Sequence, residues 1–292
     1  MSLAGKVALV VGGTSGIGRG FAEWLAQNGA SVCISGRNRE RGDEVVASMK
    51  SRCPSDAADA QFAFLPVDAM LIKDTNRFCE EYMFSHSRLD YLVLTPGIAY
   101  FGARLETSEG LEQKMAIHYY GRVSIILGLM PLLERTAADD AADVRVLSVL
   151  SAGMHGPYSH YREDPELVNN FSLANCANAT SLYNDVAVTS LAEEHPRITF
   201  CHANPGMVNT NWGSDFNPLL KGLVRIGQLF AKSPITCATQ LSPVLVSPEF
   251  KGGAVFSSQT AQRVSPNTAA QPGKEFIWKH TLDVIKRLGG KE

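Results

Sequence analysis

Short runs of apolar and β-branched residues alternate with longer stretches of mixed polarity through the first two-thirds of the chain. KVALVV at 6–11, SVCIS at 31–35, AFLPV at 63–67, YLVL at 91–94, VRVLSV at 144–149 and RITFCHA at 197–203 are mostly apolar and do not alternate. Runs of that kind belong to strands covered on both faces, with the intervening helical stretches as crossovers. The pattern predicts an α/β fold built on a doubly wound parallel sheet. After Pro205-Gly206 the rhythm breaks. Leu219, Leu220, Leu223, Val224, Ile226, Leu229 and Phe230 then fall at helical spacing between Pro218 and Pro234. This predicts a helical substrate lid around 211–234, beyond a strand's carboxyl end, where open α/β sheets bind ligands. A core-capping or dimer-contact helix would read the same way. Helices over 236–246 and 275–288, with a last strand in GGAVFSS between them, complete the pattern.

Composition narrows the function classes. The 292 residues, 45% hydrophobic and 19% charged, can bury a sizeable core and carry no repeat or low-complexity linker, so a single domain over 1–292 is expected. A net charge of -2 gives no electrostatic reason to expect nucleic acid or an anionic membrane as partner. The apolar stretch from Val123 to Leu133 is shorter than the roughly 20 residues of a membrane span. The N-terminus runs into a strand with no leader-like pattern, so a cytoplasmic protein acting on a small molecule is expected. Six cysteines (33, 53, 79, 176, 201 and 237) lack metal-ligand spacing and read as reduced thiols, with no metal site.

The clearest candidate chemistry lies after the first strand, where Gly12-Gly13-Thr14-Ser15-Gly16-Ile17-Gly18 precedes a helix starting near Arg19. Gly12 permits the tight turn, Gly16 lets the backbone approach a diphosphate, and Gly18 lets helix and strand pack closely, while the helix N-terminus offers free N–H groups. The second strand ends in Ile34-Ser35-Gly36-Arg37-Asn38, with no carboxylate to accept from a ribose 2′-hydroxyl. Arg37 suits a 2′-phosphate instead, and Arg19 adds a second cation, so NADP(H) is the expected cofactor. Solvated surface charges are the alternative reading of both arginines.

The spacing Gly12-x3-Gly16-x-Gly18 resembles the short-chain dehydrogenase/reductase (SDR) family, whose fold is of the Rossmann type. Val67-Asp68 resembles the pair that frames the adenine, Gly97 the last residue of the family's NNAG motif, and Pro205-Gly206-Met207-Val208-Asn209-Thr210 its PGxVxT. The resemblance covers roughly residues 5–250 and is nearest to retinol-dehydrogenase-like reductases, especially a branch abundant in filamentous fungi. It implies that Gly12, Thr14, Ser15, Gly16, Ile17, Gly18, Arg19, Arg37, Asp68, Gly97, Pro205, Gly206, Val208 and Thr210 bind the dinucleotide. It also implies homodimerisation through helices near 110–135 and 172–194.

The family's catalytic Asn-Ser-Tyr-Lys set is only partly present. Ser151 matches the serine, and His118 stands where the asparagine is expected. No Tyr-x3-Lys occurs anywhere, and spacing from Leu191-Ala192 and Pro205-Gly206 puts Ala177 and Ser181 in those two slots. Tyr183 lies on the same predicted helix but is rotated about 240° from slot 177. The loop 154–164 carries His155, Tyr158, His160 and Tyr161, any of which could replace the tyrosine. The catalytic candidates are therefore Ser151, His118, Tyr183, His155 and Tyr158.

Together these features predict an NADP(H)-dependent oxidoreductase of secondary metabolism, acting on an apolar carbonyl or alcohol with a non-standard proton donor. The alternatives are a non-redox isomerase, cyclase or dehydratase that retains NADP(H) structurally, and a non-catalytic NADP(H)-binding protein.

Overall fold

The computed structural model describes residues 2–210, 231–266 and 272–290. Seven parallel strands form one sheet in the order β3-β2-β1-β4-β5-β6-β7: β1 Val7–Val11, β2 Ser31–Gly36, β3 Phe62–Pro66, β4 Tyr91–Leu94, β5 Val144–Val149, β6 Ile198–Ala203 and β7 Ala254–Ser257. The order reverses between β1 and β4, which pair directly (Val11 with Leu94). A crevice opens at such a switch point because the crossovers on either side leave toward opposite faces. β4, β5 and β6 are buried along their whole length, as their apolar runs require.

The helices are α1 Gly16–Gln27, α2 Arg39–Arg52, α3 Ile72–Ser85, α4 Gln113–Met115, α5 Gly121–Ala137, α6 Leu173–Glu194, α7 Pro234–Val246 and α8 Lys274–Gly289. One core packs α1, α2 and α7 against the sheet through Phe21, Leu25, Val45, Met49 and Leu241. The other packs α3, α5, α6 and α8 through Phe78, Leu129, Tyr183 and Trp278. Five of the six cysteines are buried and Cys53 is half-buried.

α4 runs into α5 through a π-helical turn, Ala116–Tyr120, giving one helical run from Gln113 to Ala137. By length and composition this run could cross a membrane, which the shorter stretch read from the sequence did not suggest. Its most apolar window is 78% buried inside the protein, the behaviour of a core helix. Residues 158–162 form no helix, with a turn over 159–163. The proposed lid over 211–234 lies almost wholly outside the described residues.

Candidate active site

The turn from β1 to α1 is fixed by backbone geometry. Gly12 has φ +80°, a region side chains disfavour, and the N–H groups of Gly12 and Gly13 both donate to the Ser35 carbonyl at the end of β2 (2.9 and 3.0 Å). Gly18 packs back onto the same turn: a Cβ there would stand 2.3 Å from the Gly12 carbonyl oxygen and 2.5 Å from Thr95 Oγ1. Ser15 is the N-cap of α1, yet its side chain makes no capping bond and the first turn has no acidic residue. The helix thus presents its N-terminal N–H groups and positive dipole end without an internal anion to satisfy them.

A cavity of about 800 Å³ lies against this turn, across the carboxyl ends of β1, β2, β4 and β5. Of the residues expected to bind a dinucleotide, Gly12, Thr14, Ser15, Gly16, Ile17, Gly18, Arg37, Asp68, Gly97, Pro205 and Thr210 line it. Arg37 is exposed and makes no ion pair among the described residues. Arg19 is outside the lining and bonds Glu23 one turn on (2.8 Å). Gly206 and Val208 are also outside it: the Gly206 N–H donates to Asn204 Oδ1 (2.9 Å), and Val208 bridges Lys232. The Asp68 carboxylate accepts from the Met70 N–H (3.0 Å), closing the turn that sets Val67-Asp68 against the cavity. An uncapped helix end and a glycine cradle that leaves no room for a Cβ together fit the diphosphate of a dinucleotide.

His118 lines the far end of the cavity from the π-helical turn. Its Nε2 accepts the Ile98 N–H (3.1 Å), so the ring proton sits on Nδ1. Burial, reinforced by the Arg122 and Lys114 charges, pushes its pKa down to about 3. The π turn widens the helix and leaves the His118 carbonyl to accept from Asn184 Nδ2 of α6 (2.9 Å). Asn184 Oδ1 accepts from Ser148 Oγ (3.1 Å), and Ser148 Oγ in turn accepts from Arg122 (2.8 Å). Arg122, 1% exposed, also donates to the carbonyls of Val149 (2.9 Å) and Pro96 (2.6 Å), binding the ends of β4 and β5 together. Burial pushes this guanidinium down to about 9. Lys114 is buried against the Tyr100 ring, its Nζ 3.1 Å from the ring centroid, and desolvation lowers its pKa against the opposing pull of Glu112.

Ser151 follows Leu150 of the cavity wall but is not itself part of the lining. Its N–H donates to His202 Nε2 (3.1 Å), and its carbonyl accepts from Ser181 Oγ (3.2 Å), so Ser181 stands directly beside the serine. Tyr183 and Tyr158 are not brought to the cavity. Tyr183 donates to the Pro165 carbonyl (3.1 Å) and packs edge-on against Tyr119, while Tyr158 donates to the Asp164 carbonyl (2.8 Å). Burial raises the pKa of both phenols. His155 is exposed, and partial burial followed by the proximity of His202 lowers its pKa. Arg122, Asn184, Ser148, Asp185 and His202 were missed by sequence reasoning. The available signal was polar residues at inward positions of otherwise apolar elements, notably His202 in ITFCHA.

A parallel sheet in this order, with a glycine turn and a serine at the end of β5, defines a dinucleotide-binding α/β protein of dehydrogenase type. The short chain dehydrogenase family model matches residues 6–161, and the chain belongs to that family. Over 212 residues it is 33% identical to Oxidoreductase AN1596 of Emericella nidulans, an alignment covering 72% of this chain and 60% of that relative's length. It is also 28% identical to the polyprenol dehydrogenase of Mus musculus, over 98% of this chain and 85% of the relative. Among solved structures, the Pseudomonas aeruginosa RhlG/NADP active-site complex superposes with a TM-score of 0.64 at 21% identity, covering 88% of this chain and 96% of the other. At that identity the likeness is one of fold.

Proposed function

We propose that the protein is an NADP(H)-dependent oxidoreductase acting on an apolar carbonyl or alcohol. The observation carrying this reading is the cavity that joins the glycine turn and the uncapped N-terminus of α1 to the outward guanidinium of Arg37. When bound there, the nicotinamide group supplies or accepts the hydride. The α1 N–H groups and the glycine cradle hold the diphosphate, Arg37 meets the 2′-phosphate, and Val67-Asp68 borders the adenine end. Ser151 donates a hydrogen bond to the substrate oxygen. His118 holds its proton on Nδ1 as a neutral donor, and His155, exposed near the serine's partner His202, exchanges protons with solvent. The family relationship to an enzyme of polyprenols supports an apolar substrate.

The test incubates purified protein with NADPH and candidate ketones, or NADP⁺ and lipophilic alcohols, and follows nicotinamide absorbance. Stoichiometric cofactor turnover is expected. Product formed with no cofactor consumed would overturn the reading in favour of an isomerase, cyclase or dehydratase.

A further inference from the structure

Asp185 of α6 and His202 of β6 are both fully buried and meet at 2.6 Å, Oδ1 to Nδ1. The other ring nitrogen, Nε2, takes the Ser151 N–H at 3.1 Å. An amide N–H can only donate, so Nε2 must be the bare nitrogen and the ring proton must lie on Nδ1, pointing at the carboxylate. The chain Asp185–His202–Ser151 therefore has one consistent hydrogen-bond direction.

The position of this chain in the sheet gives it meaning. The β5–β6 ladder ends where the Leu150 N–H donates to the Ala203 carbonyl (2.8 Å). One residue on, a side chain replaces the strand as acceptor, and on the other side Ser181 Oγ holds the Ser151 carbonyl. The Ser151 N–H is thus held by a side chain alone, and its carbonyl by Ser181 Oγ together with the Met154 N–H (3.0 Å), at a point where regular strand pairing has stopped. A buried acid–imidazole pair adds little stability over apolar residues of similar volume, because desolvation offsets its attraction. The imidazole held in this tautomer offers Ser151 an acceptor that an apolar residue at that place would not.

We propose that Asp185 and His202 are positioning residues for Ser151, a buried pair that fixes the backbone of the residue read above as bonding the substrate oxygen. The inference rests on the reading of Ser151 given above, and it can be tested apart from it. In the full-length protein, ¹⁵N NMR of the His202 ring is expected to show a protonated Nδ1 and a bare Nε2, with the Ser151 amide protected from exchange. His202→Leu is expected to speed exchange of that amide at least tenfold and Asp185→Asn to speed it less, while NADPH affinity, read by nucleotide fluorescence, stays within twofold. His202→Gln, which restores an acceptor near the Nε2 position, is expected to recover part of the protection. With any substrate the wild type turns over, His202→Leu is expected to lower kcat about 10- to 100-fold with KM within twofold, the pattern of a misplaced reacting group. A wild-type ring protonated on Nε2, or Ser151 exchange unchanged in a folded His202→Leu protein, would overturn the proposal. Should His202→Leu fail to fold, the wild-type tautomer decides by itself. Absence of redox turnover alongside an intact Ser151 clamp would count against the proposed reaction and leave the positioning pair standing.

Discussion

His118 Nε2 receives the Ile98 amide, and burial with the neighbouring Arg122 and Lys114 charges lowers its pKa from 6.5 to about 3. The unfolded chain therefore binds a proton that the native state refuses between those two values. By linkage, the contribution of neutral His118 to stability is complete above pH 6.5 and is lost progressively as pH falls toward 3. Denaturant melts of the wild type at pH 7 and pH 4.5 should show that loss, and His118→Asn, which cannot titrate, should show a smaller one. An equal loss in both proteins would remove His118 as its source. At the opposite end of the cavity, Arg37→Ala is expected to weaken NADP(H) binding by about tenfold or more, the worth of a charge-assisted hydrogen bond, with a far smaller effect on NAD(H). Equal losses for both nucleotides, measured by fluorescence titration, would reject the 2′-phosphate assignment. Arg37 was legible in the sequence because it ends an apolar strand where a carboxylate would otherwise stand. The partnership of His202 with Ser151 was not, because it depends on a side chain meeting a backbone N–H across 51 residues of chain.

The β1–α1 turn and the π-helical turn position the two ends of the cavity in different ways. In the first, the glycine spacing dictates the geometry: Gly18→Ala would drive a methyl to 2.3 Å from the Gly12 carbonyl, which neither backbone segment can vacate. Overpacking of this kind costs about 1–3 kcal/mol, so a lower thermal midpoint together with loss of nucleotide binding is expected. Normal melting and binding would show that the turn is looser than described. In the second, the geometry comes from α6, because Asn184 takes the carbonyl that the π turn releases. Asn184→Leu leaves that carbonyl and Ser148 Oγ short of a partner and should destabilise the protein by about 1–3 kcal/mol in urea unfolding. The glycine turn could be read directly, since each glycine answers a local backbone demand. The π turn could not, because Lys114-Met115-Ala116-Ile117-His118 reads as ordinary helix until its partner on α6 is known.

Across the whole molecule, the doubly wound parallel sheet follows from apolar runs alternating with helical stretches, while the strand order that opens the crevice at the β1/β4 switch point is seen only in the structure. The chain also retains most of the expected phosphate end of its cavity in one place, while its sequence holds no Tyr-x3-Lys. Sequence spacing located the glycine motif and the missing Tyr-x3-Lys, since both are visible without a structure. It did not show that Tyr183 and Tyr158 are tied to carbonyls inside the second core, nor that Arg122 joins the ends of β4 and β5, because both depend on tertiary packing. The central claim is that the nucleotide end of the site is functional although the Tyr/Lys couple is absent. Calorimetric titration of the full-length protein with NADPH and, separately, NADH tests it most directly: saturable one-to-one binding with NADPH the tighter ligand is expected, and no heat with either nucleotide would contradict it.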